Sequence, residues 1–216
     1  ADIKLEDMKG EPCIVGIDLA SKIDIASMAV LFPPGKHPKW RAFVKHYLPE
    51  DTIAERDRYQ GWHAGGWLTS TPGNVTDYEY IAEDLRELKS NHEIREVPFD
   101  PFQATLFSIQ MMDEGFPMIE VGATVKNFSE PMKQLEALIL ERKIEFSRDP
   151  VLQWMFSCVT AKMDLKDNIY PNRGDGVHDK KSKIDGVVAL IMALNRWMVH
   201  EEQQPSVYQS RGIISL

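Results

Sequence analysis

Apolar positions change their period along the chain. Cys13 to Ile17 is an unbroken apolar run closed by Asp18, and Ile25 to Phe32 is a second run stopped by Pro33-Pro34-Gly35. Trp40 to Leu48 alternates instead, with Trp40, Ala42, Val44 and His46 on one side. Short apolar runs bounded by turn formers read as strands, so a meander of three antiparallel strands is expected. The period then becomes helical. Thr76-Asp77 caps a segment with Tyr80, Ile81, Leu85 and Leu88 that reaches Asn91, and Ile94 to Phe99 is the next strand. Phe102 to Glu114 follows as a helix with Gly115 as its stop, then Met118 to Val121 as a strand. Alternation of this kind predicts parallel pairing. Ser129 with Pro131 opens a helix carrying Met132, Leu135, Leu138 and Ile139, and Pro150 opens another with Leu152, Met155, Phe156 and Val159. Asp164 to Lys181 is polar and reads as a loop, and a last helix runs from Ser182 to His200. The predicted fold is α/β: a mixed sheet, antiparallel meander plus parallel βαβ strands, flanked by helices on both faces.

Composition narrows this. With 216 residues, 43% of them hydrophobic and 9% aromatic, the chain has enough apolar material for one domain with its own core. The expected division is a linker or boundary segment over 1–10, a domain over 11–200 and a tail over 201–216. The longest apolar run, Val187 to Leu194, is far short of the roughly 18 residues that span a bilayer. No hydrophobic N-terminal segment precedes a cleavage site, so a cytosolic setting with no membrane partner is expected. Cys13 and Cys158 lack any CxxC or Cys/His spacing, which argues against a disulfide framework or a zinc site. The net charge of −8 argues at first against a nucleic-acid binder. Its distribution weakens that argument, because residues 1–125 carry 12 basic and 21 acidic side chains while residues 126–216 carry 13 and 12.

Three acids stand where a sheet would gather them: Asp18 ends the first strand, Asp100 ends the fourth, and Asp185 lies in the first turn of the last helix. Each has apolar neighbours, and burying one uncompensated charge costs several kcal/mol, roughly. Each also has a structural reading. Asp18 can close an Asx-turn, Asp100 can cap the helix after Pro101, and Asp185 suits the positive end of its own helix. Together, the order of strand-end acid, hairpin, strand-end acid and C-terminal helix acid is that of a ribonuclease H-like fold. Such oxygen ligands bind hard divalent cations, and two ions about 3.5–4 Å apart clamp the attacking and leaving oxygens of a phosphodiester.

Six segments carry a more specific resemblance: Gly16-Ile17-Asp18-Leu19-Ala20, Leu48-Pro49-Glu50, Trp67 to Gly73, Phe99-Asp100-Pro101-Phe102-Gln103-Ala104, Pro150 to Trp154, and Lys183-Ile184-Asp185-Gly186 through Leu190. In this order they resemble the nuclease domain of the large terminase subunit of tailed bacteriophages. The resemblance implies a ribonuclease H-like domain that cuts concatemeric viral DNA during packaging, with Asp18, Asp100 and Asp185 as catalytic acids binding two Mg²⁺ or Mn²⁺ ions. One ion would generate hydroxide and the other stabilise the leaving 3′ oxygen. Implied partners are double-stranded DNA, a terminase ATPase domain in the same full-length chain, the small terminase subunit and the portal. The implied setting is the cytoplasm of the infected host rather than the virion. No GxxxxGK[ST] occurs, so ATP hydrolysis is not expected of this segment. Cys158 and Val121 to Val125 depart from the family pattern.

Around the three acids, Asp24, His178 and Asp179 are candidate accessory ligands or proton shuttles, each with a reading as a solvated loop residue. Asp164 and Asp167 read as loop acids. Arg173, Lys180, Lys181 and Lys183 lead into Asp185 and are candidate phosphate contacts. Gly61 to Trp67 is glycine- and tryptophan-rich, as in a base-stacking lid or a loop anchored on the core. Two other classes remain open. One is a phosphotransferase of the actin and sugar-kinase group, which would require a Gly-Thr-type turn where Leu19-Ala20-Ser21-Lys22 stands. The other is a non-catalytic docking module of the packaging motor.

Overall fold

The apolar run after Glu11 forms strand β1 (Pro12–Asp18), and β2 (Ala26–Phe32) and β3 (Trp40–Pro49) follow it as an antiparallel meander. The computed structural model describes residues 2–19, 24–102, 104–174 and 182–203. Ile14, Val15 and Ile17 are all fully buried, so β1 reads as a continuous apolar run because both of its faces are covered. Strand β5 (Glu93–Phe99) pairs in parallel with β1, and β6 (Met118–Glu120) pairs in parallel with β5. The short strands β4 (Thr69–Thr71) and β7 (Ile144–Phe146) share the outer edge of β3, giving the order β4-β3-β2-β1-β5-β6 with β7 beside the start of β3.

Helices cover both faces. On one, α3 (Glu79–Asn91) buries Ile81, Leu85 and Leu88, and α4 (Thr105–Asp113) buries Phe107 and Met111, against Cys13, Val15, Ile17, Met28 and Phe99. On the other, α5 (Val125–Leu140), α6 (Pro150–Cys158) and α7 (Asp185–Gln203) pack against Ile14, Ala29, Leu31, Ala42 and Leu48. Two short helices after β3, α1 (Glu50–Ala54) and α2 (Asp57–Ala64), add Ile53 and Tyr59 to that second core. Among the described residues, no helix is long and apolar enough to cross a membrane.

Besides the short elements β4, β7 and α1, which the sequence pattern does not predict, the structure departs from the sequence expectations in four places. The expected loop 164–181 contains a strand. β8 (Val159–Met163) and β9 (Ile169–Arg173) form an antiparallel ribbon whose turn is built on Asp164, which accepts the N–H groups of Lys166 and Asn168 at 2.7 and 3.0 Å. Tyr170 stacks on Phe128 with ring centroids 5.7 Å apart, and Ile169 is buried, so two apolar contacts hold a polar segment. Helix α5 starts a turn earlier than expected because Thr124 caps it, leaving Pro131 inside the helix. The proline has no N–H for the Asn127 carbonyl, and the side chain of Asn195 on α7 donates to that oxygen at 3.0 Å instead. The glycine- and tryptophan-rich stretch is largely α2, with Trp62 packed between Tyr59 and Trp154. Finally, within the first ten residues Leu5–Met8 form a 3-10 turn; Met8 is buried in the core and its carbonyl lies 3.0 Å from His92 Nδ1.

Candidate metal centre

Backbone register brings the first two acids together. Ile17 on β1 is the partner of Phe99 on β5, so Asp18 and Asp100 are the next residues on adjacent parallel strands and leave the same edge of the sheet. Asp185 reaches them through α7. A Cβ on Gly16 would lie 2.0 Å from the Ala189 carbonyl oxygen, so only glycine lets this helix lie so close to β1. Ala189 is one helical turn beyond Asp185, and Gly16 is two residues before Asp18.

The electrostatics follow from this gathering. The Asp18 carboxyl is pushed well above the usual carboxylate range, first by burial, then by Asp185 and Asp100; Arg173 acts against the shift. Burial likewise raises Asp185, with its backbone N–H, Arg173 and Lys183 acting to lower it. Asp185 is 4% exposed, and among the described residues its Oδ2 has no hydrogen-bond partner. A buried carboxylate oxygen left without a donor is costly unless a cation or proton satisfies it. The arrangement is loose: among the described residues, no three Asp, Glu, His or Cys side chains form a ready-made cation cage. The Asp100 Oδ1 accepts the N–H of Phe102 at 2.8 Å, so this acid also starts the turn into α4.

The accessory candidates divide. Asp24 lies across the first hairpin and forms an ion pair with Lys183, which leaves Lys183 neutralising an acid at the site's rim. Arg173, at the end of β9, is near enough to lower both Asp18 and Asp185. His178, Asp179, Lys180 and Lys181 lie outside the described residues. Asp164 serves the β8–β9 turn, and Asp167 stands there at a φ of 59°.

Three tyrosines that no sequence motif singles out lie within electrostatic reach of the acids. Burial raises the hydroxyls of Tyr78, Tyr170 and Tyr59 above their usual range, and the acids add to this: Asp18 at Tyr78, Asp100 and Asp18 at Tyr170, Asp24 and Asp185 at Tyr59. Tyr59 in turn accepts from Arg56 at 2.9 Å. No local motif announces them, since each arrives on a different element.

The profile of the terminase large subunit, endonuclease domain, matches residues 1–201. The chain belongs to this family. Protein YmfN of Escherichia coli (strain K12) is 34% identical over 232 residues, which take in 99% of this chain and 50% of that protein. This chain thus spans about half the length of that curated relative. The crystal structure of the HK97 bacteriophage large terminase matches with a TM-score of 0.75 at 23% identity, over 88% of this chain and 42% of that one. The large terminase nuclease from thermophilic phage G20c with bound magnesium matches with a TM-score of 0.54 at 12% identity, over 85% and 80%. These likenesses establish the ribonuclease H-like fold of a terminase nuclease domain. Within that fold, Asp18, Asp100 and Asp185 occupy neighbouring positions at one edge of the sheet.

Proposed function

We propose that this chain is a divalent-metal-dependent endonuclease that cuts double-stranded, concatemeric viral DNA during genome packaging. One observation carries the reading: in a member of the terminase endonuclease family, Asp185 and Asp100 lie near enough to Asp18 to raise its carboxyl, and the buried Asp185 keeps an oxygen without a hydrogen-bond donor among the described residues. The site fits a hard cation, because its donors are carboxylate oxygens and its burial penalises uncompensated negative charge. The magnesium bound to the related nuclease of phage G20c agrees with this.

Asp18, Asp100 and Asp185 would hold two Mg²⁺ or Mn²⁺ ions, which supply Lewis-acid polarisation of the phosphate and a water of lowered pKa. Asp18 and Asp185 concentrate negative charge in a desolvated pocket, Asp100 fixes the entry to α4, and Arg173 offers its guanidinium to the DNA backbone beside them. Asp24 is held back by Lys183 and acts at the rim. DNA, an ATPase domain, a small terminase subunit and a portal are the partners of this reading, and the cytoplasm of the infected host its setting. The test is Mn²⁺-dependent nicking of supercoiled plasmid. Asp18→Ala, Asp100→Ala and Asp185→Ala should each retain the native circular dichroism spectrum and lose nicking by at least about a thousandfold. Undiminished nicking by any folded variant removes that acid from the mechanism, and wild-type nicking in excess chelator removes the metal.

A further inference from the structure

We infer that His46 is a positioning residue for Asp185, holding the first turn of α7 in place through a buried Ser27–His46–Asp149 chain. The inference rests on the reading of Asp185 as a cation ligand. Register sets the chain beside the acids: Ser27 is the β2 partner of Asp18 and also of His46 on β3. Directly opposed residues share a face of the sheet, and here that face is the one covered by α7.

The His46 ring is fixed at both nitrogens. Its Nδ1 lies 2.9 Å from the Ser27 Oγ, and its Nε2 lies 3.0 Å from the Asp149 Oδ2. The other oxygen of Asp149 accepts the N–H groups of Val151 and Leu152 at 2.8 and 3.0 Å, so the same carboxylate caps α6. A neutral ring that donates from Nε2 to Asp149 and accepts the Ser27 hydroxyl at Nδ1 satisfies every polar atom in the row. The His46 side chain is wholly buried, and that of Asp149 is 6% exposed.

What the pinned ring presents to α7 is its Cε1. A Cβ on Gly186 would lie 2.9 Å from that atom and 3.0 Å from the Met155 Sδ, which accepts the Gly186 N–H at 3.2 Å. Gly186 follows Asp185 directly. Among the described residues the Asp185 Oδ2 has no donor and the carboxyl is acted on by its own backbone N–H, so the seating of the helix start sets where the carboxylate lies. His46 and the α6 residue Met155 form the wall against which that start is seated.

The row is not a hydrolase triad. Ser27 is fully buried, and the serine sits on Nδ1 with the acid on Nε2, the reverse of the nucleophile-activating order. Its members act through Asp185 and touch no reacting atom.

The test is calorimetric titration of the full chain with Mn²⁺ in the absence of DNA, with plasmid nicking measured in parallel. His46→Ala and Asp149→Ala should weaken Mn²⁺ binding about tenfold, the size usual for residues that support a ligand from behind. His46→Gln, which can still reach Asp149, should recover most of it. His46→Asn keeps an acceptor near Ser27 and supplies a folded variant if alanine does not fold; it too should bind Mn²⁺ more weakly. Leu85→Ala, in the core on the opposite face of the sheet, should lose stability without any change in Mn²⁺ affinity. Unchanged Mn²⁺ binding in the folded His46 and Asp149 variants overturns the inference and leaves the nuclease reading standing. A wild-type chain that neither binds Mn²⁺ nor cuts overturns both.

Discussion

At the residue scale, the acids proposed as cation ligands should also destabilise the metal-free fold. A carboxylate whose pKa is raised by folding binds more protons folded than unfolded. Its favourable contribution is therefore full below the unfolded value, near 3.8, and is lost as the pH rises through the raised folded value. Asp18 and Asp185 both titrate in this sense, so the metal-free protein should melt higher at mildly acidic pH than near pH 7 as far as these two groups decide it. Asp18→Asn removes the charge without removing volume. It should raise the melting temperature of the metal-free protein at neutral pH by a few degrees, since about 1 kcal/mol moves a chain of this size by roughly 2–4 °C. Added Mn²⁺ should stabilise the wild type and leave Asp18→Asn unmoved. Scanning calorimetry with and without chelator checks both signs, and a lower melting temperature for metal-free Asp18→Asn would refute the burial argument.

At the scale of elements, the close contact of α7 with β1 is what brings Asp185 to Asp18. Gly16→Ala would place a Cβ against the Ala189 carbonyl, which is backbone and cannot rotate away. Overpacking of this kind costs about 1–3 kcal/mol, occasionally more. The expected result is a lower denaturation midpoint together with loss of nicking, although all three acids remain. This contact also shows why part of the site was legible in the sequence. Gly16, Asp18 and Asp185 lie in apolar runs with clear periods, so their elements and their order could be read locally. The meander, α3, β5 and α7 were legible for the same reason. Strands β4 and β7 were not, because three residues carry no period and their partner, β3, is distant along the chain. The β8–β9 ribbon was hidden by its polar composition; the stacking of Tyr170 on Phe128 is a tertiary fact. The row through His46 was equally invisible, its three residues being joined only by register and by the cap of α6.

Across the whole molecule, charge is unevenly divided, and the proposed DNA substrate should be oriented by it. The face carrying α3 and α4 holds Glu79, Glu83, Asp84, Glu87, Asp113 and Glu114, a set only partly offset by Arg86, by Lys89 at the end of α3 and by Lys45 at Asp84. The end of β9 and the approach to α7 bring Arg173 and Lys183 to the acids instead. Phosphate should therefore approach from the β9 side. With a net charge of −8, binding should be weak and steeply salt-dependent. Each phosphate contact contributes about one unit to the slope of log affinity against log salt. Arg173→Ala should reduce that slope by about one and weaken binding uniformly across DNA sequences. Lys36→Ala should leave the slope unchanged, because Lys36 pairs with Glu11 just before β1, at the end of that strand away from Asp18. Fluorescence anisotropy with a labelled duplex in Ca²⁺, which occupies oxygen sites in place of Mg²⁺ or Mn²⁺, measures both slopes. Equal slopes for wild type and Arg173→Ala would place the DNA elsewhere on the molecule and leave Arg173 as a counter-charge for the acids alone.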